Sequence, residues 1–475
     1  MASAIETAIR SVVEKGVVTI ADFNRKRMRN ADNPYLTGIH TPVESETLLE
    51  DLAVTGTIPA ALNGLYARNG PNPIGGEQAA SYHWFLGDGM VHGIRLQGGR
   101  ALWYRNRWVR SSKVSEALGE PPAPGTRHSR SDNANTNVQA IGGRLFALVE
   151  AGANPVELSA DLMTVAHNPF DGTLTVPYSA HPHFDPETGE AHAITYEGAP
   201  DGRVWHVVTG ADGKVTREEP IAVSDGPSIH DCAITANNVL VFDLPVTFSI
   251  ERLIKGFRFP LGWNPKHPSR VGVLGKSAAG SSIVWCDVEP CYVFHPCNAY
   301  ETGDGRIIAD VIAHADMFRS STMGPDAQSI RFERWTIDPA ARTVARAVID
   351  PEPQEFPRLD ERRTGKPYRH AWTVGVQVGP DLIAEGSSIL YCHDLEAGTR
   401  RSRDFGAAKV AGEFVFVPYG PGEQDGWLVG LVGDRVADSC DLHILDAADF
   451  TGPPVAVVHI PLRIPPGFHG NWIPA

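Results

Sequence analysis

Along residues 1–28, apolar side chains recur at helical spacing, at Ile5, Ile9, Val12, Val13, Val17, Ile20 and Phe23, with charged residues between them. The pattern predicts a helical N-terminal arm over residues 1–32, lying on its own domain or along a membrane surface. It lacks the Lys-rich polar face that membrane-surface helices favour. From Asn33 the period changes to short β-type runs broken by turn signals. Gln97-Gly98-Gly99-Arg100, Ile141-Gly142-Gly143-Arg144, Asp185-Pro186-Glu187-Thr188-Gly189, Gly210-Ala211-Asp212-Gly213, Thr302-Gly303-Asp304-Gly305, Asp338-Pro339-Ala340-Ala341 and Leu395-Glu396-Ala397-Gly398 all read as hairpin turns. Strand-like text lies between them, as in Arg144-Leu145-Phe146-Ala147-Leu148-Val149 and Val239-Leu240-Val241-Phe242. Such turns, spread over residues 33–475 with little helix between, predict an all-β chain and a single multi-blade propeller domain. A pair of β-sandwiches is the competing architecture, and there is no WD or kelch repeat to decide between them.

Residues 244–275 interrupt the strand rhythm with mixed apolar, basic, Pro and Gly positions. This segment reads as a loop over one end of the barrel, or as an apolar lip that touches a membrane or admits a greasy substrate. Together, residues 1–28 and 244–263 are the candidates for peripheral membrane contact.

Composition narrows the function classes. The chain has 475 residues, and its 47 Gly and 37 Pro fit many turns between short strands. A net charge of −14, with no basic run longer than Arg25-Lys26-Arg27, argues against a nucleic-acid partner. The six Cys form neither a CxxC pair nor a compact framework, which suits reduced thiols in a cytoplasm and argues against both a zinc finger and a secreted disulfide scaffold. The first residues lack the basic start and apolar core of a signal peptide. No apolar run approaches the ~20 residues that cross a bilayer.

The chemistry begins at the C-terminus. Phe468-His469-Gly470-Asn471-Trp472-Ile473-Pro474-Ala475 carries no charged side chain, so it reads as an end packed inside the protein. His181, His230 and His295 also lie in apolar or Gly/Pro-flanked settings. Their separations match no local zinc motif, but a propeller sending one residue from each of several inner strands to its axis would produce them. Three Glu stand in apolar or Pro-flanked strands, Glu150, Glu355 and Glu413. A Glu in such a strand is costly to bury unless paired, and a metal-bound imidazole needs a partner for its second N–H. From spacing alone, solvated Glu and hydrogen-bonded core His remain open.

The chain resembles the carotenoid cleavage oxygenase family, which includes stilbene-cleaving dioxygenases and a retinoid isomerase. The resemblance rests on Asn63-Gly64-Leu65-Tyr66-Ala67-Arg68-Asn69-Gly70-Pro71-Asn72-Pro73, His83-Trp84-Phe85-Leu86-Gly87-Asp88-Gly89-Met90-Val91-His92, Asn135-Thr136-Asn137-Val138, Glu150-Ala151-Gly152, Ala180-His181-Pro182, His230-Asp231, Glu355-Phe356-Pro357-Arg358 and His469-Gly470-Asn471-Trp472. It implies a seven-bladed β-propeller capped by a loop and helix dome over an axial Fe(II). By matching motifs, His181, His230, His295 and His469 would bind the iron. Glu150, Glu355 and Glu413 would accept hydrogen bonds from three of those His, and Thr136 would sit beside the open coordination position. All these positions are intact, so the resemblance implies an enzyme.

The implied reaction is O2-dependent cleavage of a C=C bond in a carotenoid or apocarotenoid, giving two carbonyl products. Stilbene cleavage is the alternative, and a non-oxidative isomerase of the same fold a further one. Stilbene cleavers bind a phenol through a Tyr and a Lys; aligned by eye, Trp108 and Val149 stand at those positions here, which favours an apolar polyene. A hydrolase or binding propeller with another metal, and a pure interaction propeller, are the readings outside oxygenation. Among Trp84, Phe85, Trp103, Tyr104, Trp108, Phe294 and Trp472, only Phe294 is expected to line the substrate tunnel, because it neighbours a ligand. His83 and His92 are expected to be structural, and His183 is left out because the motif matches His181.

Overall fold

The computed structural model describes residues 4–29, 32–128, 131–198, 202–379 and 385–475, with side chains from Gly16 onward. All the turns expected from sequence join antiparallel neighbours. In the Gln97–Arg100 and Ile141–Arg144 hairpins both central residues are Gly at positive φ, at 57° and 76° and at 57° and 74°. This left-handed geometry matches the right-handed twist of the flanking strands, and a Cβ would oppose it.

The hairpins assemble into sheets arranged as a β-propeller. Four-stranded sheets are built by residues 137–167, 183–222 and 354–404. Two five-stranded sheets are completed across the ends of the chain. Gly470–Pro474 pairs antiparallel with Gly64–Pro71, and Val54–Gly56 pairs antiparallel with Ala456–Ile460. The ring is thus closed twice, each time by a strand distant in sequence.

Seven separate blades were expected, and the hydrogen bonding corrects this. Five sheets of four or five strands stand apart, and residues 232–350 form one eight-stranded sheet. The cause is a single parallel bridge, Asp287 to Thr343, between Val284–Asp287 and Thr343–Asp350. The face-to-face packing of sheets supplies the core. Trp372 and Phe416, from neighbouring sheets, stack with centroids 5.2 Å apart and planes 9° apart, amid Leu390, Leu428 and Val432.

Loops and short helices cover one end of the axis. They include Trp84–Leu86 and residues 246–263 of the expected 244–275 loop, which form a two-stranded hairpin around the helix Ile250–Ile254, whereas Arg270–Gly275 is a strand of the eight-stranded sheet. The N-terminal helix, Ala4–Arg27, docks on this hairpin. Asn24 Nδ2 donates to Ile254 O at 2.7 Å, and Arg25 Nε to Gly256 O at 2.9 Å. Gly256 has φ 99°, and a Cβ there would lie 2.8 Å from Arg25 N, so the contact requires glycine. Packing runs through Ala21, Asn24 and Arg25, whereas Ile20 and Phe23 of the expected apolar stripe stay about half exposed. The stripe members Ile5, Ile9, Val12 and Val13 lie outside the described side chains. No described helix is long and apolar enough to cross a membrane. All six Cys are buried free thiols.

Candidate metal centre

Where the innermost strands meet, His181, His230, His295 and His469 converge from three sheets, His230 and His295 from opposite edges of the eight-stranded one. Their ligand atoms all lie within 4.8 Å of one another, and all four residues are buried. His181 and His230 sit just before the strands His183–Phe184 and Cys232–Ile234, and His469 just before Gly470–Pro474. His295 lies within Tyr292–Glu301, where the register shifts between Val293 and Pro296. The Glu355 strand shifts between Glu355 and Arg358, and the Glu413 strand between Ala411 and Phe414. A bulge breaks the strict alternation of a strand and re-aims a side chain. Here the bulges fall at His295, Glu355 and Glu413. Ala151 and Phe356, the residues after Glu150 and Glu355, carry φ of 53° and 54°, unusual for residues with a Cβ.

Each of the three Glu meets one imidazole of the cluster. Glu150 Oε1 lies 2.8 Å from His230 Nδ1, Glu355 Oε2 2.6 Å from His295 Nδ1, and Glu413 Oε1 3.1 Å from His469 Nδ1. With Nδ1–H donated to a carboxylate, the Nε2 lone pair of each ring is left for the axis. His230 Nε2 and His295 Nε2 stand 3.2 Å apart, close to the ~3.0 Å between adjacent ligands of an octahedral ion with bonds of ~2.1 Å. His181 Nε2 is buried with no hydrogen-bond partner among the described residues. An orphaned buried nitrogen and clustered Nε2 atoms fit a bound cation. The donor set, neutral imidazoles with carboxylates held outside, suits a transition metal.

Electrostatics agree for His181 and His469. Burial, helped by the other three His, pushes His181 well below the ordinary His range, so it stays neutral. Burial also lowers His469, partly offset by Glu413. For His295, burial is outweighed by Glu355, and its pKa is raised. Burial would raise the Glu413 carboxyl, but Arg358 and His469 bring it down to about 2. The Glu413 carboxylate is therefore ionised behind the cluster.

Thr136 is buried and lines the cavity that opens above the four His; its carbonyl accepts from His469 N at 3.1 Å. This cavity measures about 300 Å³ and includes His230, His295, Phe294, Phe85, Phe259 and Leu261 in its wall. Phe294 is where the sequence places it. Trp84 and Phe85 line the cavity too, whereas Trp103, Tyr104 and Trp472 are not in its wall. Trp108 corrects the phenol argument. It packs with Met90 and Val114, donates Nε1–H to Asn72 O at 2.8 Å, and lies outside the cavity wall, whereas Val149 is in it.

Other residues were not singled out from sequence. His314 Nε2 meets Glu355 Oε1 at 2.7 Å, Tyr196 O–H donates to Glu150 Oε2 at 2.5 Å, and Arg358 lies 3.5 Å from Glu413. His314 carries the weak signal of a His ending an apolar strand, Ile307–His314; Tyr196 carries none. His83 stacks on Phe259, and His92 bonds the Tyr104 hydroxyl at 2.9 Å, both structural contacts.

A family model described as retinal pigment epithelial membrane protein matches residues 40–474. A carotenoid cleavage oxygenase of Mycobacterium tuberculosis is 40% identical, over 94% of this chain and 98% of its own length. The chain belongs to the carotenoid cleavage oxygenase family. By that membership it is an oxygenase enzyme. The cobalt-substituted apocarotenoid oxygenase of Synechocystis superposes with a TM-score of 0.82 at 28% identity, covering 91% of this chain and 97% of that one. Lignostilbene dioxygenase of Pseudomonas brassicacearum has a TM-score of 0.82 at 23% identity, covering 94% and 100%, a likeness of fold.

Proposed function

We propose that this member of the carotenoid cleavage oxygenase family is an Fe(II)-dependent dioxygenase that splits a C=C bond of a carotenoid or apocarotenoid into two carbonyl products. The observation that carries the reading is the four-His cluster, backed by three carboxylates, at the base of a largely apolar cavity. His181, His230, His295 and His469 would hold the iron, and Glu150, Glu355 and Glu413 would fix three of their rings. When bound, Fe(II) supplies the activation of O2. The remaining work falls to the protein: Thr136 flanks the centre, and Phe85, Phe294 and Leu261 hold a polyene and keep water out. The likeness to the cobalt-substituted Synechocystis enzyme supports a divalent transition metal here.

A second reading, cleavage of a stilbene, keeps some ground because Trp108 lies outside the cavity wall and leaves only Val149 arguing against a phenol. Non-oxidative isomerisation is the third. Two halves of the eight-stranded sheet, residues 232–287 and 292–350, each have four strands and count as two blades joined at one bridge, giving seven in all. Residues 33–475 would then act as one catalytic domain with residues 1–32 as an accessory arm. Val18, Phe23 and Ile250, each more than half exposed on the docked helices, support peripheral membrane contact of an otherwise cytoplasmic protein.

The test is aerobic turnover by Fe(II)-loaded protein offered an apocarotenal and resveratrol in parallel, with carbonyl products identified by mass. Aldehydes from the apocarotenal alone are expected. Aldehydes from resveratrol alone would make the second reading correct, and isomerised substrate without O2 uptake the third.

A further inference from the structure

Two spaces reach the four-His cluster, and they differ in chemistry. Above it lies the cavity of about 300 Å³, with much of its wall aromatic or aliphatic. On the axis lies a second, smaller space of about 90 Å³, whose wall includes His181, His295 and His469 together with His183, Asp231 and Glu361. A hydrated divalent ion crossing the larger cavity would shed water against a wall in which aromatic and aliphatic groups outnumber polar ones such as Ser131, Asn133 and Glu197. The axial space offers replacements in order of depth. The Glu361 side chain is 61% exposed, His183 25% and Asp231 4%. His183 Nε2 lies 2.7 Å from Asp231 Oδ1, and Asp231 Oδ2 lies 3.7 Å from His181 Nδ1. Ligand atoms of His183, Asp231 and Cys232 also fall within 4.8 Å of one another. The positive group in this wall, Arg358, is balanced by Glu361 at 2.7 Å and Glu413 at 3.5 Å.

We propose that this axial channel is the entry route of the metal ion, with Glu361, His183 and Asp231 exchanging ligands with the ion on its way to His181. The proposal rests on the four-His cluster being the metal site. It separates traffic: the ion enters from the polar face of the propeller, and the apolar molecule from the dome.

Stopped-flow loading of metal-free protein with Co2+ tests it, following ligand-field absorption and bound metal by mass spectrometry, without turnover. His183→Leu and Glu361→Gln are expected to slow both Co2+ uptake and its removal by EDTA, uptake by about tenfold, as for loss of an electrostatic guide. The equilibrium affinity should change less than the rates. Saturating trans-stilbene, which would occupy the apolar cavity, should leave uptake unchanged. Uptake at the wild-type rate in both variants overturns the proposal, as does uptake slowed by trans-stilbene alone. Wild-type protein that binds no Co2+ would overturn the four-His reading as well. Normal Co2+ spectra with unchanged variant kinetics would sink the channel and leave that reading standing.

Discussion

A neutral imidazole has one donor and one acceptor nitrogen, so whatever holds Nδ1–H decides where the Nε2 lone pair points. Glu355 does this for His295 and is itself held by His314, at 2.7 Å, and by Phe356 N, at 2.8 Å. Glu355→Gln is expected to weaken Co2+ binding by about 10–100-fold, measured by competition with a chelator; unchanged affinity would show that the carboxylate does not orient the ligand. A second buried His behaves oppositely to His181. His267 meets Asp225 at 3.0 Å and Asp243 at 2.8 Å. Burial lowers its pKa, but the two carboxylates prevail, and it is raised above 6.5. A raised folded-state pKa means stability fully present below pH 6.5 and lost as pH rises through the folded value. His267→Gln should therefore lower the urea midpoint more at about pH 6 than at about pH 9. An equal loss at both would mean that His267 is not held as the cation.

At the scale of elements, the strand Gly470–Pro474 joins closure to chemistry. It pairs with Gly64–Pro71, and Asn471 Nδ2 donates to Asn137 Oδ1 at 2.9 Å, while His469 precedes it directly. Ending the chain at Gly470 retains every proposed ligand but removes four of the five residue pairs with Gly64–Pro71. Lower thermal stability and weaker Co2+ binding are expected together; metal affinity intact in a destabilised protein would separate the two. Between sheets, Trp372 is 1% exposed against Phe416. Trp372→Ala should cost about 3–5 kcal/mol, as for other large-to-small core changes, read from the urea midpoint.

For the whole molecule, the four His come from three sheets, His230 and His295 from opposite edges of the eight-stranded one, so a bound ion ties the ring across its axis. A ligand present at ~1,000 times its Kd adds ~4 kcal/mol to stability when the unfolded chain does not bind. Stripping the metal should lower the unfolding midpoint accordingly, and re-adding Co2+ should restore it. A midpoint indifferent to bound metal would place the ion outside the folded core.

The local chemistry of the chain was determined by sequence. Gly-Gly pairs demand left-handed turns wherever they fall, a Glu in an apolar strand demands a partner, and eight ordered motifs marked the family. These depend on neighbours a few residues apart, which the sequence states outright. Tertiary structure decided the rest. His314 and Tyr196 became partners of Glu355 and Glu150 through contacts 41 and 46 residues long in sequence. Trp108 left the cavity wall because its strand turns that ring towards Met90 and Val114. The bridge from Asp287 to Thr343 joined two sheets through a single residue pair, which no hydrophobic period records. Strand alternation fixes which side chains share a face, but which faces meet, and at what depth, depends on closing the ring.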